Sequence, residues 1–546
     1  MSEFDLVLDL LEKIRARREF SCLEDDLSVL SGLEATEAVL AHAETLGRMT
    51  SNRGYVLLAL PNSVALGVLT LACLAAGRIP VVCNPWARNW QGFIDDGLPI
   101  ELAIYSGAER SEQGIGFEAI RICLKRLSFI SVDDSKPDPG AGWRKQLESA
   151  KPREPFLPVS RSESDIAIVV YTSGSSGQPK PVGIVFRSLA YLCFELKAEL
   201  GLTAETRAVI AMPMFHTLAI NTQFFPALYA GGSCVFLAPE LEMGSLMRRL
   251  MAVKGTYVAL VAEVVQQLDR ERVEHELDAA SSVQQVVLAG GQINQHHLLQ
   301  AGALFPCAVV HRAYGLTEAV RVTMANSSDP DFSQLANGRP LRGQDVRIFG
   351  ESGEELPQGQ TGTIFVKGPN TGNDLFGHKI ESSVGGDYLC TGDLGFINAY
   401  GGLEVLGRSD RVFKSQGRKV APAEIEHSVT HLSEVTKAVC VPAPCGRKGL
   451  RPVLVIEVGR RIDFAAAERL AGFFQFLGTS LRAKLEPYKV PREVFLLSEM
   501  PMLPSLKPNV VALIGMFNSM KVSGRQPQWV AAGIRFYTAP LLQETE

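Results

Sequence analysis

A hydrophobic run of membrane-spanning length is missing from this chain, and so is any excess of positive charge. The most apolar stretch, residues 55–83, is broken by Pro61, Asn62, Arg78 and Pro80. It therefore reads as buried strands and a helix, not as the roughly 20-residue apolar span a bilayer requires. Lys and Arg total 54 against 59 Asp and Glu, a formal charge of -5. Nucleic-acid binding usually needs a broad positive field, which this balance does not supply. A nucleotide site needs only local positive charge and is not excluded. The 10 cysteines are scattered, with none in a CxxC pair. Cys440 and Cys445 come closest, and no neighbouring His or Cys pair completes a zinc set. Reduced, structural thiols are expected. The opening segment MSEFDLVLDLLEKIRARREF sets acidic residues in an amphipathic pattern unlike a signal peptide, so a cytoplasmic protein is expected. There is no internal repeat and no low-complexity segment.

What is present is enough for more than one core. At 546 residues the chain exceeds a single ordinary domain, and 46% hydrophobic with 21% charged residues is usual for a globular protein. Residues 54–60 form a short apolar run closed by Pro61 and Asn62, as expected of a buried parallel strand. A helix over 63–76 and a strand over 78–82 follow. The same alternation recurs at 165–171 with 187–200, and at 283–289 with 295–304. Strand, crossover helix and strand imply α/β layers with parallel pairing. After Glu318 the pattern becomes short strands at 344–349, 362–367 and 403–406 between Gly- and Pro-containing turns, a small β-barrel-like subdomain. A second α+β pattern begins near Asp410: a helix at 423–431, strands at 436–442 and 452–458, a helix at 464–485 and a strand at 493–497. The expected division is therefore 1–409 and 410–546. The residues after Lys507 suggest no role.

The apolar strand at 165–171 runs directly into Thr172, Ser173, Gly174, Ser175, Ser176, Gly177, Gln178, Pro179 and Lys180. Glycines let backbone N–H groups approach an anion, hydroxyls donate to phosphate oxygens, and Lys180 adds a positive charge. The spacing is not that of GxxxxGK[ST]. A flexible Gly/Ser turn is the plainer reading, but it leaves the strand context and the terminal Pro-Lys unexplained.

This segment, YTSGSSGQPKP, resembles the phosphate loop of the adenylate-forming superfamily, which includes acyl-CoA synthetases, aryl-acid ligases, luciferases and carrier-loading adenylation domains. The usual form is TSGSTGxPKG; Ser176 keeps the hydroxyl, and Pro181 replaces the last glycine. Pro181 removes an N–H and stiffens the chain, so a less mobile loop is expected. Further segments resemble the family's motifs in their usual order. Tyr314, Gly315, Leu316, Thr317, Glu318 and Ala319 resemble YGxTE, which implies a ring against adenine, a Thr at the α-phosphate and a Glu at Mg²⁺. Residues 388–393 resemble YxTGD, whose acceptor-only Asp393 suits the ribose diol. Gly407, Arg408, Ser409 and Asp410 resemble GRxD, implying a second ribose contact at Arg408 and a hinge at Asp410. Gly417, Arg418 and Lys419, with Glu424, Ile425 and Glu426, resemble GxR…EIE, and place Gly417 beside an incoming pantetheine arm. A solvated, charged helix start is the plainer reading of Glu424 and Glu426. Residues 488–491 match a recurrent family segment, and Lys507 falls where the catalytic lysine lies, with Leu506 in place of a Gly. An exposed lysine is the plainer reading there.

The resemblance spans residues 55–509 and implies ATP and Mg²⁺ as cofactors, a small-molecule carboxylic acid as substrate, and a mobile C-terminal lid. The acid attacks the α-phosphorus to give acyl-AMP, and a thiol then takes the acyl group. For the acid, residues 212–221 resemble the PMFH…N segment of aryl- and fatty-acyl-CoA ligases. His216 stands where amino-acid-activating domains carry an Asp, so an unpaired ammonium there would be costly. His216 is a candidate to line or gate the pocket, with a core histidine as the alternative. Leu218, Val261 and the turn Ala289, Gly290, Gly291 and Gln292 suggest a mainly apolar pocket, with Gly291 and Gln292 toward the nucleotide. Arg321 could meet a second carboxylate or a polar group on the substrate, but a surface arginine is the expected reading. CoA is the leading acceptor. The alternatives are an acyl carrier protein's phosphopantetheine and a nucleotide-binding homologue that has lost catalysis, the latter suggested by Pro181 and Leu506.

Overall fold

Two sheets with parallel centres, and a buried helix that packs against both, organise the first half of the chain. The computed structural model describes residues 5–26, 28–85, 98–106, 128–132, 156–172, 180–237, 243–291, 293–371, 373, 376, 387–415, 417–429, 432, 434–444, 450–458, 467–497, 500–501, 508–515, 529–531 and 534–540. They pack as two units. One holds Met1–Gly290, Gln300–Val346 and Val366–Leu389; the other holds Gly291–Leu299, Arg347–Phe365 and Cys390–Glu546.

In the first unit, a six-stranded sheet runs in the order Ser128–Val132, Ile100–Ser106, Tyr55–Ala59, Ile79–Val82, Ile166–Thr172 and Lys180–Val185. Its strands are parallel except for the last, which pairs antiparallel with Ile166–Thr172. Pro181 lies in that edge strand opposite Tyr171. Proline is tolerated at a sheet edge, and the loop it was expected to stiffen, residues 173–179, lies outside the described residues.

The second sheet has nine strands, with a parallel centre of Val309–Leu316, Gln285–Leu288, Tyr257–Leu260, Arg207–Ile210, Ser233–Phe236 and Ser21–Glu24. Antiparallel strands cap both sides. The helix Val64–Ala75 begins where Ser63 accepts from Leu66 N–H, a side-chain N-cap. Nearly every residue of it is buried on all faces, as expected of a helix covered from both sides. Gly67 lets it approach the second sheet, since a Cβ there would stand 2.8 Å from the Phe236 ring.

The four-stranded sheet runs Asp345–Phe349, Gly362–Lys367, Leu389–Ile397 and Leu403–Arg408. In the second unit, a seven-stranded sheet is built around Leu450–Val458, which pairs antiparallel with Val435–Pro444 and parallel with Glu493–Leu497. The helix Ala467–Lys484 covers one face, and Phe413, Ile425, Leu454, Leu477, Leu481 and Leu496 form the core beneath it. Full burial of each such side chain contributes about 1.5–3 kcal/mol. The tail does have a structural role. Ile534–Pro540 adds an antiparallel strand beside Glu493–Leu497, and Trp529–Ala531 adds another. The helix near Glu426 ends at His427, short of the expected 431.

Candidate active site

Ligand sites in open α/β sheets form where parallel strands end at their carboxyl side. In the first unit, adjacent parallel strands end just before Ala211, Val261, Ala289 and the hairpin turn after Leu316. The candidate acid-pocket and nucleotide turns therefore share one sheet edge. A Cβ on Gly290 would stand 3.1 Å from Val261 Cγ1, so these two turns touch. Gly290 has φ +89° and Ala289 is fully buried.

The segment bearing His216 is pinned by Asn62. Its buried side chain donates to the carbonyls of Ile210 (3.2 Å) and Met212 (2.9 Å) and accepts from Met214 N–H (2.8 Å). His216 is half-buried and N-caps the short helix Thr217–Ala219, with its ring 4.5 Å from that of Phe215. Leu218 is buried. The chain then forms a π-helical turn, Ile220–Phe224, a distortion common at functional sites.

Tyr314 and Gly315 end the strand Val309–Leu316, and Thr317 with Glu318 forms the two-residue turn into Ala319–Asn326. All four are partly exposed. The turn is held by Asn373, whose Nδ2 donates to Glu318 O (2.9 Å) and whose Oδ1 accepts from Val185 N–H (3.3 Å). Asn373 thus joins the hairpin that leaves the phosphate loop to the turn that carries Glu318. Thr172 and Lys180 face each other across the mouth of that loop, Lys180 exposed. Ser173, Gly174, Ser175, Ser176 and Gly177 lie outside the described residues, as do Gln292 and Lys507.

Arg321 departs from expectation: it is 4% exposed, not a surface residue. A bulge between Tyr314 and Leu316 in the hairpin register puts Arg321 at φ +58°. The fully buried Asn370 donates to the carbonyls of Val320 (2.6 Å) and Arg321 (3.3 Å) and fixes this backbone.

In the second unit, Asp393 lies within the strand Leu389–Ile397, directly opposite Arg408. Arg408 Nη1 is 3.5 Å from Asp393 Oδ1 and donates to Thr391 O at 2.9 Å. Gly392, at φ +71°, leaves room for this guanidinium, since a Cβ there would stand 3.1 Å from it. Asp410 follows in the 3-10 turn Ser409–Arg411, its Oδ1 3.9 Å from Arg408 Nε. Gly417, at φ +80°, turns between the strands Phe413–Ser415 and Arg418–Val420. Glu426 is not a solvated helix charge. It is buried, takes both terminal nitrogens of Arg411 (2.7 and 3.3 Å), and accepts Cys440 N–H at 2.7 Å. Glu424 pairs with Lys489 Nζ at 2.8 Å. Among the described residues no cluster suited to hold a metal by protein ligands alone occurs, and no helix is long and apolar enough to cross a membrane.

Asn62, Asn370 and Asn373 escape a reading of the sequence because their partners lie far along the chain. Only the position of Asn62, at the end of a buried strand, hints at its role.

Two α/β sheets followed by a smaller α+β unit are the architecture of the adenylate-forming enzymes. Residues 13–374 match the AMP-binding enzyme family, and the chain belongs to it. It is similar to peroxisomal OPC-8:0-CoA ligase 1 of Arabidopsis thaliana, with 26% identity over 494 residues, 88% of this chain and 87% of that protein. It is also similar to anthranilate–CoA ligase of Pseudomonas aeruginosa, with 26% identity over 487 residues, 86% of this chain and 89% of that one. The fold is similar to that of ATP-bound MatB from Rhodopseudomonas palustris, with TM-score 0.78 and 21% identity, covering 95% of this chain and 100% of that one.

Proposed function

We propose that this chain activates a carboxylic acid as acyl-AMP, with release of pyrophosphate, and then passes the acyl group to the thiol of CoA. The observation that carries this reading is the shared sheet edge: the turns at Val261, Ala289 and Thr317–Glu318 follow adjacent parallel strands. The Asp393–Arg408 pair and the kinship to CoA ligases support it.

In the first step a carboxylate oxygen attacks the α-phosphorus of ATP, and the bond to pyrophosphate breaks. Tyr314 offers an aromatic face to adenine, and Asp393 with Arg408 holds the ribose hydroxyls. Thr172, Lys180 and the hydroxyls and N–H groups of residues 173–177 take the phosphate tail, while the Thr317 hydroxyl donates to the α-phosphate. Glu318 suits Mg²⁺, which commonly binds one carboxylate together with substrate phosphates; when bound, it would neutralise phosphate charge. Lys507 bridges the acid and the α-phosphate as charge develops. His216 and Leu218 border the acid, and Gly291 with Gln292 borders the nucleotide. In the second step the thiol attacks the acyl carbonyl and AMP leaves. The boundary between residues 409 and 410 is the hinge, with Asp410 absorbing the rotation. Gly417 runs beside the pantetheine arm.

The test is exchange of labelled pyrophosphate into ATP over a panel of acids, followed by thioester analysis with CoA and, separately, with a holo-carrier protein. Acid-dependent exchange and acyl-CoA are expected. ATP binding without exchange on any acid would end the reading, and acylation of the carrier alone would change the acceptor.

A further inference from the structure

Arg321 is a cation set inside the first unit. It is buried, and among the described residues no carboxylate pairs with it. Its Nε donates to Thr222 Oγ1 at 2.9 Å. The Thr222 hydroxyl is itself directed at Thr217 O (3.4 Å), which leaves its lone pair for Arg321. Tyr257, fully buried, spends its O–H on Thr222 O at 2.8 Å. Burial pushes the Tyr257 phenol far above its usual value, so it supplies no negative charge. The terminal nitrogens Nη1 and Nη2 have no hydrogen bond among the described residues. Burial pulls Arg321 down to about 10, where it stays protonated at neutral pH.

A guanidinium this little exposed, with no carboxylate partner among the described residues, is costly to keep in a fold. Three further features show that the position is built. Arg321 adopts a left-handed backbone conformation that ordinary residues avoid. Gly315 opposite must lack a side chain, since a Cβ there would stand 2.4 Å from Arg321 N. In the π-helical turn that supplies Thr222, Asn221 is fully buried with neither Oδ1 nor Nδ2 bonded among the described residues. Arg321 therefore links the turn following His216 to the hairpin bearing Thr317. In the ligase reading the first element carries His216 and Leu218 beside the acid, and the second carries Thr317 at the α-phosphate, whose phosphorus the acid attacks, whereas the rest of the phosphate tail is assigned to residues 172–180.

We propose, resting on that reading, that the substrates are dicarboxylic acids: one carboxylate is activated, and Arg321 receives the other. A neutral distal group would leave the guanidinium unpaired and bind poorly.

The wild-type enzyme is tested by ATP–pyrophosphate exchange on short and medium aliphatic and aromatic dicarboxylic acids, each compared with its monomethyl ester. At least one diacid is expected to exceed its ester by about tenfold or more in kcat/KM. Arg321→Gln is expected to lose about 100-fold on that diacid while its ester is little changed, and Arg321→Lys to recover part of the loss. ATP affinity by calorimetry and thermal unfolding show whether each variant is folded; if Arg321→Gln is not, the wild-type comparison decides alone. Esters or simple monocarboxylic acids that match or exceed every diacid would overturn the proposal and leave the ligase intact. ATP binding with no exchange on any acid would remove both.

Discussion

Asp393 and Arg408 face each other across two antiparallel strands, with Nη1 3.5 Å from Oδ1. Arg408 is anchored separately, by its donation to Thr391 O. The carboxylate is therefore oriented by the sheet and does not depend on one flexible partner.

That arrangement predicts a binding defect when Asp393 is neutralised. Asp393→Asn should raise the KM for ATP about 10- to 100-fold with a smaller fall in kcat, because the diol loses an acceptor while the strands stay paired. Steady-state kinetics with ATP varied would read this, and an unchanged KM would move the ribose elsewhere.

Lys507 is expected to act in the first half-reaction only. Lys507→Ala should slow acyl-adenylate formation by about 100- to 1,000-fold, yet thioester formation from supplied acyl-AMP should persist. Normal pyrophosphate release by the variant would sink the assignment.

Glu426 predicts a loss of stability, not of chemistry. It satisfies Arg411 and Cys440 N–H from a buried position. Removing it by Glu426→Ala should cost about 3 kcal/mol in the second unit, less whatever solvent returns to Arg411. Urea unfolding checks it: a change within experimental error would restore the picture of a solvated helix charge.

His311 gives the pH prediction. Burial lowers its pKa from 6.5 to about 4, with Asp329 opposing weakly. The unfolded chain takes this proton near pH 6.5, and the folded protein only near 4. Stability from the neutral ring is thus complete above about pH 6.5 and is lost progressively as pH falls toward 4, on the order of 2 kcal/mol by pH 5. His311→Gln should flatten this part of the urea-midpoint profile. An equal slope in both proteins would assign the acid sensitivity to other groups.

The alternation of apolar strands and helices was legible because burial on both faces demands continuous hydrophobic runs, as at Tyr55–Ala59 and Gln285–Leu288. The turn at Thr317–Glu318 was legible for a different reason: it falls in a segment that resembles YGxTE, and the structure does put a turn at the end of a strand there. What stayed hidden depends on contacts distant in sequence. Nothing local marks Arg321 as buried, since its bulge needs Gly315, its carbonyl is fixed by Asn370, and its side chain meets Thr222. Glu426 reads as a polar helix residue until Arg411 and Cys440 close over it. Asp393 was expected from its motif, but its place inside a strand was not.

Asn373 has a mechanical consequence. One amide spans from Val185 to Glu318, so the strand behind the phosphate loop and the proposed metal-ligand turn behave like the jaws of a caliper set to a fixed gap. In the ligase reading, the turn that faces the cation is thus braced against the edge strand before ATP arrives.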